Sequence, residues 1–227
     1  MTSVAEGNTV YEDRGLNAIV EIDTNTIITG CKNTTFDDSI ENIGDWAFFG
    51  CDSLKSIVIP DSVTTIGDWA FSNCSNLTGT IDLSNCTNIG NSAFIHCKNL
   101  TSVVIGNKVE TIGNNAFYSC DSLESVVIGD NVKTIGDSAF SYCDSLESVI
   151  IGDKVERIGR EAFYNCKNLT SVVIPASVTN IGNSAFYYCN ELNTVYYSGT
   201  EEQWNLITDG GNNYTLTNAT KVFNYQG

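Results

Sequence analysis

The fold class predicted for this chain is a repeat solenoid: an α/β horseshoe or arc, with a parallel β-sheet on the concave face and short helices or 3₁₀ turns on the convex face. Three observations predict it. The motif Ile-Gly-x-x-Ala-Phe-x-x-Cys recurs seven times, and each copy starts 23 residues after the last. The cysteines keep the same step, at Cys51, Cys74, Cys97, Cys120, Cys143, Cys166 and Cys189. Short β-branched runs precede the motifs and end at Pro or Gly. A fixed period in the twenties marks coils that cannot bury their own apolar face and must stack to make a core.

Residues 1–36 read as an N-terminal cap. Ala18-Ile-Val-Glu-Ile and Ile27-Ile28-Thr29 flank Asp23-Thr-Asn-Thr, which signals a hairpin. Cys31 takes the leucine position of a degenerate first coil, and Phe36 takes its second inward strand site.

Residues 37–198 hold the seven repeats, without a break. In the coil 54–76, Leu54, Ile57 and Ile59 have the L-x-x-L-x-L spacing of a leucine-rich repeat strand. Ile57 and Ile59, two apart, share a face. Pro60 ends that strand, as do Gly106, Gly129, Gly152 and Pro175 elsewhere, since neither residue suits a strand interior. Val63 and Ile66 then point inward and Gly67 offers a turn. Asp68 suits the N-cap of a short helical segment whose inward face is Ala70, Phe71 and Cys74. One coil tests this register. Gly79 is inserted before its strand and one residue is lost after it, so Ile81 and Leu83 become the inward pair and Cys86 replaces the usual valine. All nine cysteines thus fall at inward positions.

Residues 199–227 read as a C-terminal cap, expected because an open solenoid end exposes core. A short helix runs from Ser198 to Ile207, a last strand from Lys221 to Tyr225, and Trp204, Leu206 and Ile207 plug the end. The predicted whole is a right-handed leucine-rich repeat solenoid about eight strands long, roughly 40 Å along the sheet at about 5 Å per strand.

Composition excludes several function classes. Hydrophobic content of 42% with 17% charged residues is that of a folded protein. Net charge is −16, and such a surface repels phosphate backbones, whose binding depends on Lys and Arg releasing counterions. Nucleic acid and anionic membranes are not expected partners. No run approaches ~18 apolar residues, so direct membrane insertion is not expected. His96 is the only histidine, and Cys-x-x-Cys pairs are absent, so a structural zinc site lacks its usual ligands. No calcium loop, G-x-S-x-G or phosphate-binding loop occurs. The chain is expected to be no enzyme, to need no cofactor or metal, and to act as a monomer.

The block Ser-Val-(Val/Ile)-Ile-(Pro/Gly)-x-x-Val-x-x-Ile-Gly-x-x-Ala-Phe-x-x-Cys-x-x-Leu, at residues 102–123, 125–146, 148–169 and 171–192, resembles the leucine-rich repeats of BspA-like bacterial surface antigens. The flanking Asn17-Ala-Ile-Val-Glu-Ile and Val195-Tyr-Tyr-Ser-Gly-Thr-Glu-Glu-Gln-Trp204 are similar to units that border such repeats. The resemblance implies a cell-surface or secreted protein of a host-associated microbe. It also implies binding to a protein or glycan, host matrix proteins among them, in support of adhesion. No signal peptide is visible after Met1. The chain is therefore either a fragment of an exported protein or cytosolic.

Two surfaces are candidate partner-binding sites. The slot between the inward strand residues must point outward from the concave sheet, and it holds Val58, Val104, Val127, Ile150, Val173 and Tyr196, with Asp82 in the irregular coil. A long apolar patch marks interaction sites, although β-propensity alone also places Val and Ile there. The second candidate is aromatic. Trp46 and Trp69 share a slot in adjacent coils, and Tyr187 shares another with Phe49, Tyr118 and Tyr164. Such residues serve as hot spots or sugar platforms, or they shield the coil. The expected function is non-catalytic binding of a protein or glycan through the concave sheet. The alternative is a structural spacer in a larger surface protein, with no ligand of its own.

Overall fold

The computed structural model describes residues 11, 12 and 17–226 of the chain. The rest of the predicted N-terminal cap (residues 1–10 and 13–16) and Gly227 lie outside the described residues. The described residues form a parallel β-solenoid with three walls. Two walls are sheets and the third is a stack of turns.

The longer strands lie at Gly79–Leu83, Leu100–Ile105, Ser125–Ile128, Ser148–Ile150, Ser171–Ile174, Thr194–Tyr197 and Thr220–Val222. They pair in parallel, and each repeat residue meets its own equivalent: Ser125 faces Ser102 and Ser148, while Val127 faces Val104 and Ile150. A one-residue slip would send every inward Val and Ile to solvent, so the alternation fixes the register. The inserted Gly79 produces a register shift before Thr80, after which Ile81 and Leu83 pair with Val103 and Ile105. Ile81, Leu83 and Cys86 are buried, as that coil's sequence predicts.

Residues 54–60 depart from the expected strand. They follow the coil path but form no ladder, and the link to the next coil is the Thr78 N–H to Lys55 C=O bond at 3.0 Å. The extra residue at Gly79 takes the following strand out of phase with this segment.

The second sheet was not foreseen from the sequence. Its strands in the repeats are two residues each: Asn42–Ile43, Thr65–Ile66, Asn88–Ile89, Thr111–Ile112, Thr134–Ile135, Arg157–Ile158 and Asn180–Ile181. The isoleucine of each points inward and is buried. The following glycine serves close approach between coils more than a turn. A Cβ on Gly136 would lie 2.6 Å from the Gly113 carbonyl, with backbone that cannot yield.

The third wall corrects the expected helices and 3₁₀ segments. Residues such as 45–50 form turns instead. Trp46, Phe48 and Gly50 donate their N–H groups to Asp68, Ala70 and Ser72 of the next coil, while Ala47, Phe49 and Cys51 bond three residues back. A helix would need all these donors within the coil. Left-handed residues also break the helical path, at Trp46 (φ 61°) and Gly50 (φ 67°) and at their equivalents in every repeat. Asp68 accordingly caps no helix. Its Oδ1 accepts the Asn91 N–H at 2.6 Å in the next coil, just as Asp45 accepts the Asp68 N–H at 2.7 Å.

The core is built of columns. Phe48, Phe71, Phe94, Phe117, Phe140, Phe163 and Phe186 stack nearly parallel, with ring centroids 4.9–5.4 Å apart. Burial of each ring stabilises the fold by roughly 1.5–3 kcal/mol. Beside them run the cysteines. Cys74, Cys97, Cys120, Cys143, Cys166 and Cys189 each donate Sγ–H to the phenylalanine carbonyl of the previous coil at 3.0–3.3 Å. Cys is thus a small hydrophobe with a weak donor where that donor has a partner. All nine are free thiols, seven of them buried; Cys31 and Cys51 are half-buried, because the first coil above them is incomplete. Phe36 is likewise half-buried, against Phe48.

The ends are closed differently. At the start, Ile19–Glu21 and Thr26–Thr29 form the expected hairpin, which joins the short-strand sheet through the parallel pairing of Ile27 with Ile43. At the finish, Glu201–Trp204 is helical behind a Thr200–Gln203 capping box. Thr208–Asp209 and Thr220–Val222 extend the two sheets by one strand each. A second helix, Tyr214–Asn218, places Leu216 over the last coil, where it and Ala219 are buried. Leu206 is not part of the plug: it is 81% exposed, because the short helix ends at Trp204 and turns it outward. Trp204 and Ile207 pack half-buried.

Candidate functional site

The outward face of the longer-stranded sheet carries two columns. One is hydroxylic, running Thr80, Ser102, Ser125, Ser148, Ser171, Thr194 and Thr220; the other runs Asp82, Val104, Val127, Ile150, Val173, Tyr196 and Val222. Strand alternation puts both on one face, two residues apart. Val104, Val127 and Ile150 are 41%, 56% and 47% exposed. Val173 and Tyr196 are half-buried, and Tyr196 lies under Tyr225 of the cap at 4.7 Å. Val58 is 82% exposed, but it stands on the unpaired segment beyond the sheet edge and does not continue the ribbon.

Glu110–Lys133 (3.2 Å), Arg157–Asp137 (2.9 Å), Arg160–Glu161 (2.7 Å) and Lys167–Asp144 (2.8 Å) form ion pairs. Three of them bridge adjacent coils. Arg157, Arg160 and Lys167, a small basic spot, are therefore salt-linked through Asp137, Glu161 and Asp144. Such exposed pairs contribute little to stability.

The turn wall carries the aromatic candidates. Trp46 and Trp69 stack at 5.0 Å with planes 5° apart, and Phe49 packs on Trp46 at 5.0 Å. Trp46 is exposed and Trp69 half-buried. Farther along, His96 meets Tyr118 edge-on at 5.6 Å, and a chain of rings continues through Tyr142, Tyr164, Tyr187 and Tyr188 to Tyr214. Tyr187, a residue single columns pick out, thus belongs to a ladder drawn from two columns. That is why reading one slot at a time misses Tyr142 and Tyr188. Burial raises the Tyr118 phenol, and burial with the neighbouring Tyr142 raises that of Tyr164, so both hydroxyls stay protonated.

These aromatics stand on unusual backbone. Trp46, Trp69, His96, Tyr142 and Tyr188 all have φ between 59° and 62°. A left-handed conformation costs residues with bulky side chains roughly 1–2 kcal/mol, and Gly or Asn much less. In the slot of Tyr142 and Tyr188, other coils carry Gly50, Asn73, Ser119 and Asn165. The coil therefore needs no aromatic there.

Among the described residues, neither surface brings an acid–base pair together with a nucleophile. Burial pushes Cys74 and Cys86 up to about 12 and Cys97 well above the usual thiol range, so these sulfurs remain thiols in neutral solution. Among the described residues, no group of three or more His, Cys, Asp or Glu is placed to hold a metal, and no helix is long and apolar enough to cross a membrane.

Compared with known families, residues 27–146 and 110–207 match the BspA-type leucine-rich repeat region, in six copies. Among solved structures, a leucine-rich repeat protein from Bacteroides ovatus is similar with a TM-score of 0.58 and 23% identity, over 98% of this chain and 70% of that one. The T. pallidum leucine-rich repeat protein TpLRR follows at 0.52 and 23%, over 86% of each chain. The pneumococcal vaccine antigen PcpA gives 0.64 at 18% identity, over 93% of this chain and 48% of its own. At these identities the likeness is one of fold. No curated protein matches the chain.

Proposed function

Because the chain belongs to the BspA-type leucine-rich repeat family, we propose that it is a non-catalytic module that binds a protein or glycan as part of a microbial cell-surface or adhesion protein. The observation that carries this reading is the outward ribbon. In a chain of net charge −16, Val104, Val127 and Ile150 form an exposed, uncharged aliphatic row beside a row of serines. Its rigidity favours binding, since the three strands that carry this row are each paired on both sides and little order must be created on contact. A fold neighbour described as a vaccine antigen fits a surface location. The competing role, a spacer without a ligand, draws on the same valines, which β-propensity alone accounts for.

The double variant Val127→Asp, Ile150→Asp separates the two roles. Each substitution costs about 1 kcal/mol and the two carboxylates, opposite each other on paired strands, add like-charge repulsion, so circular dichroism of the variant is read alongside its binding to show that the solenoid is intact. Wild-type chain is expected to bind at least one of a panel of extracellular-matrix proteins and glycans by surface plasmon resonance, and the variant to lose that binding. Failure of the wild type to bind any of them would favour the spacer. Retained binding by the variant would move the site off the ribbon.

A further inference from the structure

Apart from the ribbon, we propose that Cys31 and Cys51 form a redox-sensitive clasp. Exchange with a small-molecule disulfide joins them and locks the first coil onto the second. Of the nine cysteines, these are the two that are not buried. Six of the others hold their Sγ–H 3.0–3.3 Å from a phenylalanine carbonyl of the coil before, where an oxidant in solution does not reach. At the open end the sulfurs are held loosely. Cys31 Sγ lies 3.6 Å from the Asn17 carbonyl oxygen and Cys51 Sγ 3.9 Å from that of Gly30, so turning either sulfur sacrifices no strong hydrogen bond.

Geometry brings the pair together. The Cys31 carbonyl accepts the Thr34 N–H at 3.0 Å, and the Cys51 carbonyl accepts the Leu54 N–H at 2.9 Å. The two cysteines thus close the same turn in successive coils, and Cys31 holds the cysteine place of the first coil, not its leucine place. Just ahead of the pair, the Gly30 N–H reaches the Ala47 carbonyl at 2.8 Å and ties the two coils. Because Gly30 precedes Cys31, the Cys51 sulfur stands one peptide unit from the Cys31 α-carbon. The neighbouring coil step, 4.9 Å between the Phe48 and Phe71 rings, falls within the roughly 4.4–6.8 Å between α-carbons that a disulfide spans. Burial first, and then the adjacent Cys31, raise the Cys51 thiol.

This end of the solenoid is the one with least to hold it. Residues 54–60 form no ladder and Phe36 is half-buried, and the terminal units of a repeat array open first. A bridge across the 31–51 loop restricts that opening. In the exchange, one cysteine thiolate attacks oxidised glutathione and releases one glutathione thiolate. The other cysteine thiolate then attacks the mixed disulfide and releases the second. The two thiol protons end on the two glutathiones, so the protein loses two hydrogens while one disulfide is reduced to two thiols. With the Cys51 thiol raised, thiolate is scarce in neutral solution, and the pair stays reduced until such an oxidant is supplied. The clasp is therefore open in a reducing compartment and closed in an oxidising one.

The test moves the full chain from reductant into a mixture of oxidised and reduced glutathione. Denatured samples are titrated for thiols and digested for mass mapping, and the folded states are compared by hydrogen exchange. Nine thiols are expected before oxidation, with two fewer after it and one linked pair of peptides carrying Cys31 and Cys51. Amides of residues 42–54 should then exchange at least about tenfold more slowly. Cys31→Ser should form no link and show no slowing. Nine thiols after oxidation, glutathione left on either sulfur, a link to Cys74, or a link between two chains would each overturn the proposal. A Cys31–Cys51 bridge that leaves exchange unchanged would overturn it as well, since the pair would lock nothing.

Discussion

At the scale of the residue, the cysteine column shows how a repeat selects one side chain. The slot needs a small apolar group that also offers a weak donor to the phenylalanine carbonyl of the coil before it, as Cys120 offers one to Phe94 at 3.3 Å. Alanine would lose the donor, and serine would bring a stronger polar group into an apolar column. The expectation is that native protein exposes Cys31 and Cys51 to a thiol reagent while the seven buried thiols stay silent, and that denatured, unreduced protein titrates all nine. Fewer than nine would mean that disulfides form. Alkaline pH should report the same burial. The unfolded chain ionises its thiols near 9.0, whereas folding holds Cys74 and Cys86 protonated up to about 12. The folded state then binds the extra protons, so stability is full below pH ~9 and falls as pH rises toward 12. A melting temperature that stays flat across that window would contradict sealed thiols.

At the scale of the element, the longer strands from Gly79 onward were legible, and the short-strand sheet and the turn wall were not. Period-2 alternation and seven aligned copies define which residues of Ser125–Ile128 point inward without any structure, and they locate the Gly79 insertion. The wall misled because Ala-Phe-x-x-Cys has helical spacing. Left-handed positions that a glycine column would have announced are filled by Trp, Ser, Asn, Glu and Tyr. Single units give still less to compare, and Leu206 looked like a plug because nothing periodic set its direction. The residue that does finish the wall is Asn213. It is buried, its Oδ1 accepts the Phe186 N–H at 3.0 Å, and its Nδ2 donates to the Gly182 carbonyl at 3.1 Å. Its side chain thus stands in for the backbone of a missing coil. Asn213→Ala should destabilise the protein by about 2–3 kcal/mol, since it orphans buried partners; urea denaturation reads this directly, and a change under ~0.5 kcal/mol would show that the cap closes by other means.

At the scale of the whole molecule, stability is a sum over neighbours, since each coil touches little beyond the next. Deleting residues 124–146 joins Leu123 to Glu147, which continues the chain as Leu123 continues to Glu124. That protein should fold cooperatively, with the circular dichroism of the parent and a lower denaturation midpoint. Collapse to an unfolded chain would mean that this coil makes contacts its neighbours cannot replace. The turn wall has a further consequence, an electrical one. In a sheet, successive N–H groups point to opposite neighbours and the strand dipoles largely cancel. In the wall, the backbone-to-backbone donors between coils point the same way, as Phe71, Phe94, Phe117 and Phe140 do toward Ala93, Ala116, Ala139 and Ala162. They outnumber the N–H groups that point back to a side chain, as Asn91 does to Asp68. Their peptide dipoles add along the solenoid axis as they do in a helix, but with the sense reversed. The positive pole lies at the C-terminal end of the wall, giving an acidic rod a polarity of its own.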